Sequence, residues 1–372
     1  MLKKLTLSLT ILLLLCGVSF ADFIYTTENG TLGTLHITSS LEIEQSADHH
    51  SNISRPLLTA YWNKTTTGIM LIDRYAADSG DRAYIFSPSN LASYTKSADI
   101  PGVYGAEFAG YADSGYSIFL ASGSEIYDVD TSSFKVKHSF DCTSVISEDG
   151  YDTEIYSLAV DLSSIHILAR AGDSTKYIRL DGQLKREGVK AFMSRDVSAD
   201  TSLVISTSSN LPAICHSSGI DVMNRSGRFR RLLSTDCPVK AICPDSSGNG
   251  YYYAEQIQNG TKYTNTIYHS SENSYFTPIT IESSSPNIKL LRDNSRTEFF
   301  AAMTDEQITV LMYSGSGTTS TWEYSASELG GKLWGITTAS VSGYNAKSSS
   351  SGCNFGGTLI LLAVIPFLMK RK

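Results

Sequence analysis

Three stretches decide the fold: Ile126-Tyr-Asp-Val-Asp-Thr-Ser-Ser-Phe134, Tyr177-Ile-Arg-Leu-Asp-Gly-Gln-Leu184 and Ile220-Asp-Val-Met-Asn-Arg-Ser-Gly-Arg-Phe229. Each alternates its side chains across a pleat and then turns on Asp, Asn, Ser or Gly, residues that accept the backbone angles of tight hairpins. A more apolar strand runs before the first two, Tyr116-Ser-Ile-Phe-Leu-Ala121 and Ser164-Ile-His-Ile-Leu-Ala169. A third strand follows each turn. The unit is a strand, a polar turn, an alternating strand, a second turn and another strand.

Working outward, the alternating strand recurs at Leu35, Tyr84, Ile126, Tyr177, Ile220, Ile267 and Val310, at spacings of 49, 42, 51, 43, 47 and 43 residues. A multi-stranded unit repeating every forty to fifty residues is the pattern of a β-propeller blade. The fold class expected is therefore all-β, a single propeller over residues 22–341, with seven blades of four antiparallel strands. Six or eight blades are the neighbouring solutions. The first segment, from Phe23, starts at a second strand, and its missing inner strand is supplied by Lys332-Leu-Trp-Gly-Ile-Thr-Thr-Ala-Ser-Val341. Such closure removes open sheet edges. The layout resembles that of YVTN- and WD-type propellers, without their signature peptides. A β-solenoid is the structural rival, but its rungs are much shorter than this repeat.

Both ends read as targeting segments. Lys3 and Lys4 precede an apolar stretch from Leu5 to Val18, and Ser19-Phe20-Ala21 offers small residues where a signal peptidase cuts, so residues 1–21 are expected to be removed after Ala21. Cys16 follows Leu15, where a lipoprotein signal needs a small side chain. At the other end a Ser-rich linker, residues 342–352, leads to Cys353-Asn-Phe-Gly356, an apolar run to Met369 and a basic Lys370-Arg-Lys372. As a helix, the run Phe355–Met369 rises about 22 Å, short of a bilayer core of about 30 Å. The basic triplet would stay inside and halt export.

Ser351-Gly-Cys-Asn-Phe-Gly356, the short apolar run and the basic end together resemble the Synergistaceae-type C-terminal sorting signal of bacterial surface proteins. The resemblance covers residues 348 to 372, and Ser351-Gly352 stand where the family usually has two glycines. It implies a dedicated C-terminal processing enzyme acting around Gly352, Cys353 and Asn354, with residues 353–372 a transient membrane segment. It also implies attachment to the cell surface or outer membrane of a bacterium. A plain C-terminal anchor is the simpler alternative.

Removing the five terminal basic residues leaves 25 basic against 37 acidic residues, a net charge of −12 that repels nucleic acid and anionic lipid. Charged residues are 18% of the chain, while Ser, Thr, Tyr and Gly abound, which suits strands and turns. Four cysteines remain in the body: Cys142, Cys215, Cys237 and Cys243. They allow three pairings, of which Cys215 with Cys237, both near the inter-blade loops of blade five, is preferred. Zinc fits poorly, because the Cys237 to Cys243 spacing is too wide for a knuckle and no His stands at ligand distance in sequence.

Candidate sites are few. Loops between blades share a face with those joining second to third strands, and two read as long. One is Glu42 to Leu58, with His49-His50; the other is Asp141 to Ile155, with Glu148, Asp149, Asp152 and Glu154. The second offers oxygen ligands for Ca²⁺, against the simpler reading of a solvated polar loop. Asp245-Ser-Ser-Gly-Asn-Gly250 imitates half an EF-hand loop, but its twelfth position is Gln256, so it reads as a hairpin turn. Tyr251-Tyr-Tyr253, Tyr61-Trp62, Trp322 and Trp334 are either inter-blade packing or, if exposed at a channel mouth, platforms for sugars. No nucleophile elbow, phosphate loop or dinucleotide fingerprint occurs.

No catalytic residue and no cofactor is assigned. The expected role is a surface-attached binding or scaffold module for a protein or glycan ligand. An extracellular glycan hydrolase or lyase and a structural coat component are the alternatives. Perturbed carboxylates or a Tyr–His pair converging in the channel would mark the enzyme.

Overall fold

The computed structural model describes residues 21–338, apart from residues 39, 64–65, 78, 113–116, 147–150, 161–163, 173, 192–202, 206–211, 225–226, 246–249, 272–275, 294–295, 297 and 315–316. The expected signal peptide, linker and C-terminal segment, with Gly352, Cys353 and Asn354, lie outside the described residues. So do Glu148 and Asp149.

The described strands form seven four-stranded antiparallel sheets. Blade 1 runs outward from β28 (Leu333–Thr338) through β1 (Ala21–Thr27) and β2 (Thr31–Ile37) to β3 (Ile43–His49). Blade 2 is β4 (Leu57–Asn63), β5 (Thr66–Ala77), β6 (Gly80–Phe86) and β7 (Lys96–Pro101). Blade 3 is β8 (Phe108–Ala112), β9 (Ser117–Ser122), β10 (Glu125–Asp130) and β11 (Val136–Asp141). After a one-turn helix, α1 (Thr143–Ile146), blade 4 is β12 (Thr153–Val160), β13 (Ser164–Ala171), β14 (Ser174–Asp181) and β15 (Arg186–Ala191).

Blade 5 is β16 (Leu203–Ile205), β17 (Pro212–His216), β18 (Gly219–Met223) and β19 (Phe229–Ser234). Blade 6 is β20 (Val239–Pro244), β21 (Tyr251–Asn259), β22 (Lys262–His269) and β23 (Ile279–Ser283). Blade 7 is β24 (Ile288–Arg292), β25 (Phe299–Thr304), β26 (Gln307–Ser314) and β27 (Gly317–Ser325). Each innermost strand touches the innermost strand of the next blade, and β24 touches β28, so the ring closes. All seven sequence anchors lie on the third strand of their blades.

Closure occurs where the sequence placed it. β28 pairs with β1 from Phe23↔Thr338 to Thr27↔Leu333, joining the two ends of the described chain within one sheet. β1 begins at Ala21, two residues ahead of the expected start.

The hairpin stretches share one turn. Asp130 Oδ1 accepts the backbone N–H groups of Ser132 (3.0 Å) and Ser133 (2.8 Å). Asp181 Oδ1 accepts those of Gln183 and Lys185, both at 2.8 Å, and Asn224 Oδ1 that of Arg228 at 3.0 Å. The turns end on a left-handed residue: Phe134 (φ 56), Leu184 (φ 57) and Gly227 (φ 72). Thr38 and Leu41 (φ 64) repeat the arrangement in blade 1, where Thr38 Oγ1 accepts Glu42 N–H. A short side-chain acceptor stabilises the turn and a left-handed residue ends it, the usual solution for three- to five-residue hairpins.

The described apolar clusters sit as wedges, one between each pair of neighbouring blades, including blades 7 and 1. β9 explains how one strand serves two wedges: Ile118 and Leu120 face blade 2, while Phe119 and Ala121 face blade 4. Strands buried on both faces read as apolar runs rather than alternations. Each fully buried Phe, Ile or Leu contributes about 1.5–3 kcal/mol.

The ladder corrects one loop boundary. Residues 43–49, expected inside a long inter-blade loop, are β3, and only residues 50–56 connect blades 1 and 2. As an outermost strand, Ile43-Glu-Gln-Ser-Ala-Asp-His49 is largely exposed and carries no apolar pattern to announce it.

Candidate functional site: the channel mouth at blade 1

Strand direction alternates within a blade, so inter-blade loops and the hairpins between second and third strands share one face. On that face the inner ends of blades 1, 2, 3 and 7 surround a cavity of about 250 Å³. Its apolar lining comes from Leu57 and Leu58 of β4, Met303 of β25 and Ile336 of β28. Arg55, Arg74, Lys289 and Trp334 supply its cationic and aromatic character, with Glu107, Asn287 and Asp305 at its edge.

Backbone anchors set these groups in place. Glu28 N–H donates to the Lys332 carbonyl (2.7 Å) and Arg55 N–H to the Glu28 carbonyl (2.9 Å), tying three loops of the rim together. Arg55 Nε also donates to Glu28 Oε1 at 2.7 Å. Asp81, fully buried on β6, accepts the N–H groups of Gly105 and Ala106, both at 2.7 Å, and so fixes the loop that carries Glu107. Asp305 accepts from Asn287 Nδ2 (3.2 Å) and pairs with Lys332 Nζ (3.2 Å).

Trp334 is the centre of the arrangement. The guanidinium carbons of Arg55 and Arg74 lie 5.4 and 5.9 Å from its ring centroid, within cation–π range. Arg74 belongs to an irregular stretch of β5, where pairing with β6 breaks between Asp73 and Ala77. A bulge re-aims the side chains it carries, and this one brings a guanidinium over the indole. Lys289 Nζ donates to the Trp334 carbonyl at 3.3 Å. Solvent reaches Lys289, yet protein surrounds it; desolvation pushes its pKa down, partly offset by Asp305.

The ion pairs leave a residue of charge. Glu28 answers Arg55 and Asp305 answers Lys332, whereas Arg74 and Lys289 make no ion pair among the described residues. Glu107, exposed, and Asp305 are the acids that line the same cavity, and Asp305 also acts on Lys289. The mouth can therefore take an anionic group against a planar, pre-positioned guanidinium.

The other sequence candidates go elsewhere. Glu154 is on β12, exposed, 3.9 Å from Arg170, and Asp152 immediately precedes that strand. No group of three or more His, Cys, Asp or Glu that could hold a metal occurs among the described residues. His50 Nε2 is 2.9 Å from the Leu91 carbonyl oxygen and its ring lies 4.8 Å from Phe86, a packing role. Asp245 N–H closes onto the Gly250 carbonyl at 2.9 Å between β20 and β21, as a hairpin requires.

Cys142, Cys215 and Cys243 are buried and Cys237 is partly exposed. Cys215 is turned into the wedge between blades 5 and 6, while Cys237 sits in the loop beyond β19.

Of the aromatic candidates, Tyr251, Tyr252 and Tyr253 are buried between blades, Tyr252 stacking on Phe300 at 4.4 Å. Trp322 packs against Phe299 at 6.2 Å. The Tyr61 and Trp62 side chains lie outside the described ones. Of the candidates whose side chains are described, Trp334 lines the cavity, and it meets guanidinium groups there.

The enzyme signature does not assemble among the described residues. His166 Nδ1 and the Tyr177 hydroxyl are 2.5 Å apart, but both residues are buried inside blade 4. Burial raises the pKa of Asp73, with Asp81 adding to it, and of Glu255, with Asp236 adding to it; neither carboxylate lines the mouth.

No protein-family model matches the chain, and no curated protein matches it. Among solved structures, a protein from Lactobacillus plantarum is similar at 11% identity and a TM-score of 0.57, over 86% of this chain and 99% of that one. KlHsv2 with loop 6CD replaced by a Gly-Ser linker is similar at 8% identity and a TM-score of 0.52, over 82% and 93%. At these identities the likeness concerns the fold alone: the chain is a seven-bladed β-propeller.

Proposed function

We propose that this propeller is an exported, cell-surface-attached binding module that engages its partner through the face on which the Trp334 mouth opens. The observation that carries the binding reading is a pair of cations without an ion pair among the described residues, Arg74 over the Trp334 indole and Lys289 on the Trp334 carbonyl, at the channel mouth. Cations drawn together without a carboxylate in an ion pair leave local positive charge that an anionic group of a partner can take up. Export and attachment rest on the N-terminal apolar segment and on the sorting-signal resemblance around Cys353.

Labelling intact cells with a membrane-impermeant amine reagent tests display: the protein should be labelled as strongly as known surface proteins. Protection until lysis would overturn it. With Cys353→Ser, fractionation should show a longer, unprocessed tail and altered attachment. Incubation of the purified protein with acidic oligosaccharides and peptides should leave their chain lengths unchanged; new chain ends would shift the assignment to the enzyme alternative.

A further inference from the structure

We infer that the mouth is an anchor site for one carboxylate side chain of an acidic peptide segment on a partner protein. The inference rests on the binding-module reading and names its ligand.

Size limits the occupant. A space of about 250 Å³ is below the roughly 300–1,000 Å³ of pockets that engulf whole small molecules. It suits a single inserted group. Charge selects that group: Arg74 offers a planar fork for bidentate carboxylate binding, and Lys289 adds a second donor. Glu28 and Asp305 already satisfy Arg55 and Lys332, so they do not compete for Arg74. Leu57, Leu58, Met303 and Ile336 provide an apolar wall for the methylene groups behind the carboxylate.

The surroundings favour peptide over sugar. Sugar rings are gripped by free aromatic faces, and the indole that reaches the channel is already covered by two guanidinium groups. Outside the cavity, Tyr104 (48% exposed) and Tyr151 (63% exposed) stand on the next two inter-blade loops of the same face. Exposed tyrosines on the same face as a charged anchor match the aromatic enrichment of protein-binding surfaces.

The test is calorimetric titration of the purified protein with end-blocked oligoglutamate, oligogalacturonate of equal charge, and oligoglutamine. Oligoglutamate should bind and weaken as salt rises; oligoglutamine should not bind. Arg74→Gln and Lys289→Gln should each weaken oligoglutamate about tenfold or more, with melting temperatures close to the parent's; two variants guard against one misfolding. Binding of oligogalacturonate without oligoglutamate would overturn the peptide assignment and leave the binding-module reading standing. No binding of oligoglutamate, or binding untouched by both substitutions, would overturn the inference, while surface display is decided separately by cell labelling.

Discussion

The Arg74 guanidinium lies 5.9 Å from the centre of the Trp334 ring, so a bulge in blade 2 meets the strand that closes blade 1. A cation over an indole contributes about 0.5–2 kcal/mol depending on how far water is excluded. With Arg55 on the same ring, Trp334→Leu is expected to lose about 1–2 kcal/mol in urea unfolding, and Trp334→Phe less. Equal losses for Leu and Phe would show that the ring's charge distribution contributes nothing.

A second expectation concerns closure. Gly335 on β28 is tightly enclosed: an added Cβ would sit 3.0 Å from Thr26 Oγ1 and 3.3 Å from Leu58 Cβ, so both neighbours would have to give way. Gly335→Val is therefore expected to cost about 1–3 kcal/mol by overpacking, and to loosen β28 from both β1 and β4. Hydrogen exchange should show faster exchange in β1 and β28 first. A uniform change over all blades would refute local unzipping.

How much of this was legible in the sequence follows from which faces each strand buries. Ser117-Ile-Phe-Leu-Ala-Ser122 is buried on both faces, so its apolar run was visible, and the Asp130, Asp181 and Asn224 turns marked the spacing. Ile43–His49, exposed at the rim, carries no such pattern and reads as loop. β16, with three residues, is too short to show a period. Trp334 was singled out, but its partner Arg74 was not. A bulge that turns one guanidinium inward leaves no spacing signal, and the loops bearing Arg55 and Glu107 are set by anchors such as Asp81 that act far along the chain.

Thiol reactivity should separate the cysteines. Burial pushes the Cys142 thiol up to about 12, with Asp141 adding to it, and burial likewise holds Cys243 at about 12. Thiolate is the reactive form, so both should resist modification in the native state. Cys237, partly exposed, is expected to label with a maleimide within minutes and the other body cysteines only on unfolding. Peptide mass mapping checks this, and rapid native labelling of Cys243 would contradict the inter-blade packing.

The left-handed turn positions make a further contrast. Gly227, at φ 72, sits in the left-handed region, so Gly227→Ala is expected to cost about 1 kcal/mol in backbone strain. Leu184, at φ 57, is also buried, so Leu184→Gly relieves strain yet forfeits its packing and should still destabilise, by about 1–3 kcal/mol. Opposite signs for the pair would mean that backbone strain outweighs burial at the blade 4 turn.

Acid should weaken the blade 3 turn in a defined window. Burial pushes Asp130 up, but hydrogen bonds from the hydroxyls and amides of Ser132 and Ser133 pull it down further, to about 2, below its ordinary 3.8. A carboxylate whose folded value is depressed stabilises the fold fully above its unfolded value, and that contribution fades as pH falls from about 4 through about 2. Because the turn is partly exposed, the contribution should be about 0.5–1 kcal/mol, in the lower range of side-chain caps. Asp130→Asn keeps one acceptor oxygen but cannot ionise. Urea midpoints of parent and variant should therefore differ at pH 5 and converge toward pH 2, and a constant gap over that range would remove the charged turn as the cause.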